Sequence, residues 1–120
     1  QEQARVYTEL LAERGLSEVQ QASAGATRNH QTFGVLLPAG TARDALVETL
    51  RARGVETARL SYPLHTLPPL RESAERAASE GRTFPNATAI AERGLALPVW
   101  PGLLPEQQRE VIATLCDVLK

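Results

Sequence analysis

Prolines interrupt this chain at two places that a helix cannot run through. Midway it reads Tyr62-Pro63-Leu64-His65-Thr66-Leu67-Pro68-Pro69, and further on it reads Leu97-Pro98-Val99-Trp100-Pro101-Gly102-Leu103. Each proline fixes φ and lacks a backbone donor, so both runs are poor helix interiors and good rigid connections that hold side chains at a surface. One carries a histidine and the other the only tryptophan. The remaining sequence has to fold as short blocks around these two stiff connections.

The blocks can be read from spacing and punctuation. Ala4, Tyr7, Leu10 and Leu11 recur every three or four residues, which predicts a helix over 2–14 with Gly15 as a left-handed cap. Residues 17–29 are rich in Ser, Ala, Gly, Thr and Gln without periodicity and read as a loop. Residues 30–37 carry Phe33, Val35, Leu36 and Leu37 ahead of Pro38 and Gly40, a first strand. Thr41 and Asp44 form a near-capping box for a helix whose inward stripe is Ala45, Leu46, Thr49 and Leu50, closed at Arg53 with Gly54 as cap. A strand over 55–60 completes a strand, helix, strand unit.

After the first proline run, 71–80 alternates charge with alanine and is expected to be helical, ending at Gly81. Asn86 is an expected N-cap for a short helix to Arg93, with Gly94 in the left-handed cap position. Residues 95–99 read as a short strand. Pro105 suits the first turn of a last helix, along which Val111, Ile112, Leu115, Cys116 and Leu119 share one face. The sum is an α+β fold, a small sheet of about three strands covered by helices.

Bulk properties exclude several classes. With 120 residues the chain has room for one core and not for two ordinary domains, so a single domain over 1–120 is expected. Its 42% hydrophobic and 22% charged residues are those of a globular protein. A formal charge of −1 and scattered arginines offer no basic field for nucleic acid. No apolar run is long enough to span a bilayer, and the first residues lack the apolar segment of a signal peptide. A lone cysteine makes neither an internal disulfide nor a zinc site, which agrees with a reducing, cytoplasmic location. There is no methionine, so Gln1 is not a retained initiator. Opening inside a helix, the chain is expected to be a processed product or a piece of a longer polypeptide.

Taken in order, these pieces resemble the C-terminal small domain of the DegT/DnrJ/EryC1/StrS aminotransferase family. The resemblance covers essentially the whole chain. It rests on a lead-in helix over 1–16, the strand, helix, strand order and the Tyr62-Pro63…His65 segment. Phe84-Pro85 then starts a helix that continues Ala89-Ile90-Ala91-Glu92-Arg93, and Leu95-Ala96-Leu97-Pro98-Val99-Trp100-Pro101-Gly102 precedes the last helix. Many members carry a histidine before the tyrosine, where this chain has Ser61. The resemblance implies a fold type I pyridoxal phosphate enzyme that places an amine on a nucleotide-linked keto-sugar. In such enzymes a large domain holds the cofactor and a small domain closes one wall of the cleft.

The only lysine is Lys120. Imine chemistry on pyridoxal phosphate needs an amine that can lose its proton, and arginine stays protonated. No catalytic residue is therefore expected in this chain; the resemblance places the cofactor-binding residues in the large domain, so pyridoxal phosphate is implied only for a complete enzyme, and no metal-ligand spacing is present. What the resemblance leaves to this part is substrate contact, through His65 and Tyr62, either of which could hydrogen-bond a sugar hydroxyl or a phosphate oxygen.

Each of these residues also has a plain structural role open to it. Tyr62 could be buried against the sheet, and His65 bonded to a loop carbonyl. Trp100 could be a stacking platform or an anchor between sheet and last helix. Asn29, His30 and Gln31 could face a cleft or mark a solvated strand entrance. Cys116 reads as a buried inert thiol, and Glu72, Glu75, Arg76, Glu80 and Arg82 as a solvent-facing charged stretch.

Three functional readings follow. The chain is the substrate-cleft domain of a nucleotide-sugar aminotransferase, inactive alone; or it is a free-standing, non-catalytic binding module; or it completes, in trans, a large domain on another polypeptide. A severed domain would tend to self-associate, and a module evolved to stand alone would be a monomer or a closed homo-oligomer.

Overall fold

A computed structural model of the chain describes residues 1–19, 21 and 23–120. The lead-in helix α1 spans Glu2–Glu13 and buries Ala4, Tyr7 and Leu11 along one stripe. Gly15 follows at φ 75° and turns the chain away. Of the loop expected over 17–29, Gln20 and Ala22 lie outside the described residues. Its first part is not free of pairing. Val19 bridges Val35, and the Leu36 amide donates to the Glu18 carbonyl at 2.8 Å.

Strand β1 covers Phe33–Leu36. It starts three residues later than the apolar pattern predicts, because His30 sits at φ 48°, a left-handed conformation that cannot join a ladder. Helix α2 spans Arg43–Ala52 and turns Arg43, Leu46 and Leu50 inward, whereas Ala45 and Thr49 face solvent. No side chain caps its N-terminus; the Asp44 carboxylate takes Arg43 and Arg59 instead. Only Ala58–Arg59 of the expected second strand pairs as β2, an edge strand. Val55 is held outside the ladder, its N–H donating a hydrogen bond to the Leu50 carbonyl at 2.9 Å.

The first proline run folds into two single 3₁₀ turns, Leu64–Thr66 and Pro68–Leu70. Helix α3, Arg71–Ser79, leads out of the second turn, and Gly81 ends it at φ 76°. The charged stretch around it is exposed, as its composition indicated. Helix α4 spans Pro85–Arg93 with Phe84, not Asn86, at the N-cap; the fixed φ of Pro85 suits the first helical position. It feeds without a loop into β3, Gly94–Leu97.

Gly94 is therefore extended (φ −71°, ψ 123°) and not in the left-handed cap that its place after a helix suggested. Its glycine answers to space. A Cβ there would strike the Ile90 carbonyl oxygen and come within 2.9 Å of Leu60 Cβ.

The strands order as β1-β3-β2, both outer strands antiparallel to β3. The strand, helix, strand unit is thus split: β1 and β2 run parallel with β3 inserted between them. Alternation along β1 and β3 sends Phe33, Val35, Leu95 and Leu97 to one face, where they meet Tyr7, Leu11, Leu46, Leu50, Ile112 and Leu115 in a single core. Each such side chain, when fully buried, contributes about 1.5–3 kcal/mol. Helix α5, Pro105–Val118, closes this layer.

Gln108 joins the inward face of α5, although its polarity hid it from a pattern search. It is buried, and its amide donates to the Gln3 carbonyl at 2.8 Å, tying α5 to α1. Cys116 is half-buried, and burial raises its thiol pKa. No helix among the described residues is long and apolar enough to cross a membrane.

Candidate functional site

The sheet's second face is where the two proline-rich connections and α4 matter. Leu60 leaves β2 and lays its side chain over Gly34, where the absence of a Cβ makes room for it. Beyond Leu60 the 3₁₀ turns, α3 and α4 enclose an open groove of about 470 Å³. Tyr62, Leu64 and His65 line it from the first proline run, Leu70, Ser73 and Ala74 from the start of α3, and Phe84, Ala87 and Ile90 from α4. Tyr62 and His65, the two residues singled out from the sequence, are thus brought to the same groove.

Neither takes the plain structural role open to it. Tyr62 is 64% exposed and does not pack against the sheet, because Pro63 turns the chain outward just past the edge strand. The Arg59 guanidinium lies over its ring, 5.2 Å from the centroid. His65 is half-buried and bonds no loop carbonyl. Its ring stacks on Phe84, with centroids 5.0 Å apart and planes 21° from parallel, and its Nε2 lies 3.4 Å from Thr88 Oγ1.

A chain of ion pairs supports the groove from behind. Arg43 is buried beneath α4, donating to the Ala91 carbonyl and, at 2.8 Å, to Asp44. Asp44 in turn accepts from Arg59 at 3.0 Å. The Arg43 hydrogen bond, helped by the charges of Arg43 and Arg59, holds the Asp44 carboxyl below its usual range. Helix α4 is fixed at its other end by Arg93, which donates to the Leu37 carbonyl at 2.7 Å and to Glu18 at 2.8 Å.

Trp100 is neither in this groove nor an anchor. It is 45% exposed, and Leu103 takes the buried place beside the last helix after the turn at Gly102. The Trp100 carbonyl accepts from the Gln3 side-chain amide at 2.9 Å and from the Leu103 amide at 3.2 Å. Asn29, His30 and Gln31 do face a depression, shared with Trp100 and the start of α1. Sequence reading missed Phe84, which lines the groove, and Thr88, which contacts His65 from α4, as functional. The Phe84-Pro85 pair was a visible signal for the first; nothing in the sequence pointed to the second.

The lining is mainly apolar, with an imidazole, a phenol and the hydroxyls of Ser61 and Ser73 set into it. Such a surface can stack or shelter a ring and hydrogen-bond its substituents. It has no group for imine chemistry. The Lys120 side chain is 79% exposed, paired at 3.8 Å with Asp117, and does not reach the groove. Among the described residues no cluster of metal-ligating side chains forms.

A small α+β layer of this kind is the fold of a domain found in aminotransferases. The sequence model of the DegT/DnrJ/EryC1/StrS aminotransferase family matches residues 1–116, and the chain belongs to that family. A curated relative, GDP-perosamine synthase of Vibrio cholerae, is 36% identical over 78 residues, covering 65% of this chain and 19% of the relative. The aminotransferase TlmJ of Streptoalloteichus hindustanus superposes with a TM-score of 0.71 at 26% identity, over 98% of this chain and 30% of its own. A DegT DnrJ EryC1 StrS aminotransferase of Brucella abortus shares the fold at TM-score 0.65 and 22% identity, over 95% of this chain and 28% of its own. The chain therefore spans about a fifth of the curated relative and under a third of these solved chains.

The family implies pyridoxal phosphate for the complete enzyme. The groove residues of this chain do not fit that cofactor: they include no amine and no carboxylate to pair with a pyridinium nitrogen.

Proposed function

We propose that this chain is the C-terminal small domain of a pyridoxal phosphate-dependent nucleotide-sugar aminotransferase, acting as one unit over residues 1–120. In this reading it forms a wall of the substrate cleft and takes no part in amine transfer by itself. The observation that carries it is the convergence of Tyr62 and His65 on one apolar groove in a chain of this family. The relative's name, which speaks of a GDP-linked product, supports a nucleotide-linked sugar as the ligand. The stacked Phe84 and His65 rings and the exposed Tyr62 ring suit the apolar face of a sugar or base, and the phenol, imidazole and serine hydroxyls suit its polar rim.

The cofactor, the imine-forming lysine and its acidic partner belong in this reading to a large domain, in cis or in trans, and the complete enzyme works in the cytoplasm. Exposed Tyr62, Leu64, Leu70 and Phe84 leave an apolar surface on the groove side that such a domain would cover.

Two measurements test this. The intact mass of the native protein, captured from its source cells, should be several times 13.0 kDa. A mass near that of this chain would transfer the large domain to a separate polypeptide, or leave a non-catalytic binding module. In the complete enzyme, His65→Ala should raise KM for the sugar nucleotide severalfold while cofactor absorbance stays unchanged. Unaltered kinetics would remove His65 from the substrate site.

A further inference from the structure

The hydrogen bonds around Thr88 decide how His65 presents itself to the groove. Thr88 lies in the first turn of α4, and its Oγ1 donates to the Phe84 carbonyl four residues back, at 3.0 Å. A hydroxyl has one proton. With that proton committed to the shorter contact, Oγ1 faces the His65 Nε2, 3.4 Å away, with lone pairs only. The proton between them must then sit on the imidazole. Phe84 completes the cradle by stacking on the ring and limiting its rotation.

We propose that Thr88 is a positioning residue that keeps neutral His65 in its Nε2–H form, so that the groove presents Nδ1 as a hydrogen-bond acceptor for a hydroxyl of the bound ring. Nδ1 makes no bond to the described residues, and it is not among their buried, unpartnered polar atoms, of which Thr57 Oγ1 is the only one. It is therefore open to a ligand. In the neutral ring Nδ1 has a lone pair and no proton, so it accepts from an O–H and has nothing to offer a fully ionised phosphate. The lining contains no carboxylate that would compete for the ring as an acceptor. The ligand clause rests on the substrate-wall reading above and narrows it from hydroxyl or phosphate to hydroxyl. The protonation pattern of His65 does not depend on that reading.

The test is long-range ¹H–¹⁵N correlation on the 120-residue chain labelled at histidine, at about pH 8.5, roughly two units above the ordinary imidazole pKa. There are two histidines, so His30→Gln assigns both rings. The expected result is a His65 Nδ1 at the unprotonated, downfield position and a protonated Nε2, as one tautomer. Thr88→Val keeps the side-chain shape and removes the hydroxyl, and should move both nitrogens toward the averaged positions of a free imidazole. Thr88→Ser should restore them. A protonated Nδ1 in the unaltered chain, or signals indifferent to Thr88→Val, overturns the positioning role.

Methyl α-D-glucopyranoside and dimethyl phosphate, a phosphate anion without an O–H, are then added separately, to roughly 100 mM, enough to populate a site with a Kd of order 10 mM. The glycoside should shift Nδ1 and dimethyl phosphate should not. A shift with dimethyl phosphate alone, or with neither, overturns the hydroxyl clause and leaves the tautomer result standing. Loss of the tautomer, by contrast, leaves the His65→Ala kinetics free to support a substrate wall.

Discussion

The Arg59 guanidinium carbon lies 5.2 Å from the centre of the Tyr62 ring, while the same guanidinium is bound to Asp44 at 3.0 Å. An exposed tyrosine at the rim of the groove is thereby linked to Arg43, buried under α4. A cation over an aromatic face at an exposed site is worth about 0.5–1 kcal/mol. A double-mutant cycle with Arg59→Ala and Tyr62→Leu, read by denaturant unfolding, should return a coupling of that size. Strictly additive single effects would mean that the ring is not held by the guanidinium.

Tyr7 connects α1 to the second proline run through its hydroxyl, which donates to the Pro98 carbonyl at 2.9 Å from a fully buried ring. Tyr7→Phe should cost about 1 kcal/mol, the net value of one such bond. Burial also pushes the Tyr7 phenol above its ordinary value of 10.0. The neutral phenol of the fold therefore contributes stability that is complete below that ordinary value and is lost as pH rises toward the folded one. Unfolding free energy should fall above about pH 10 in the unaltered protein, and this decline should be absent in Tyr7→Phe. An equal decline in both proteins would assign the effect elsewhere.

The two strand glycines should differ sharply when given a methyl group. At Gly34 an added Cβ meets the flexible end of Leu60, at 2.6 Å from its Cδ2. At Gly94 it meets the Ile90 backbone carbonyl, which cannot swing away without unwinding the end of α4. Gly34→Ala is expected to cost about 1 kcal/mol and Gly94→Ala about 3 kcal/mol or more. Equal thermal shifts for the two variants would contradict this packing.

Acid should weaken the fold through two aspartates. Asp44 is held below the ordinary 3.8 first by the Arg43 hydrogen bond, and Asp117 below the same value first by that of Arg53. For a carboxyl depressed in the folded state, the stabilising contribution is full above the unfolded value and is lost as pH falls through the folded one. Stability should be level near about pH 5 and drop below about pH 4. Because both carboxylates are exposed, added salt should shrink the drop. The acid slope in Asp44→Asn should be shallower; an unchanged slope would exclude Asp44 as a contributor.

Much of the architecture was legible in residue order, because it depends on local rules. The periodic spacing of Ala4, Tyr7 and Leu11, the caps at Gly15 and Gly81, and Pro105 at the start of α5 act within a few residues of themselves. The substrate candidates Tyr62 and His65 came from a motif of the same kind, prolines fixing a short connection. The order of such pieces was also enough to suggest the family to which the chain belongs.

What tertiary structure decided is everything that depends on a distant neighbour. Insertion of β3 between β1 and β2 split a unit that sequence order presents as contiguous, since strand pairing is chosen by packing across the sheet. Gly94 serves as clearance for Ile90 and Leu60 and not as a cap, and Leu103, not Trp100, takes the buried place beside the last helix. Thr88 had no signal at all, because its bearing on His65 exists only once α4 is laid against a turn 23 residues earlier. Spacing and punctuation by themselves determined where most of the helices form, and composition that the only lysine is Lys120. The groove, and the atoms that it turns toward a ligand, were decided by contacts between segments far apart in the chain, which a local pattern does not encode.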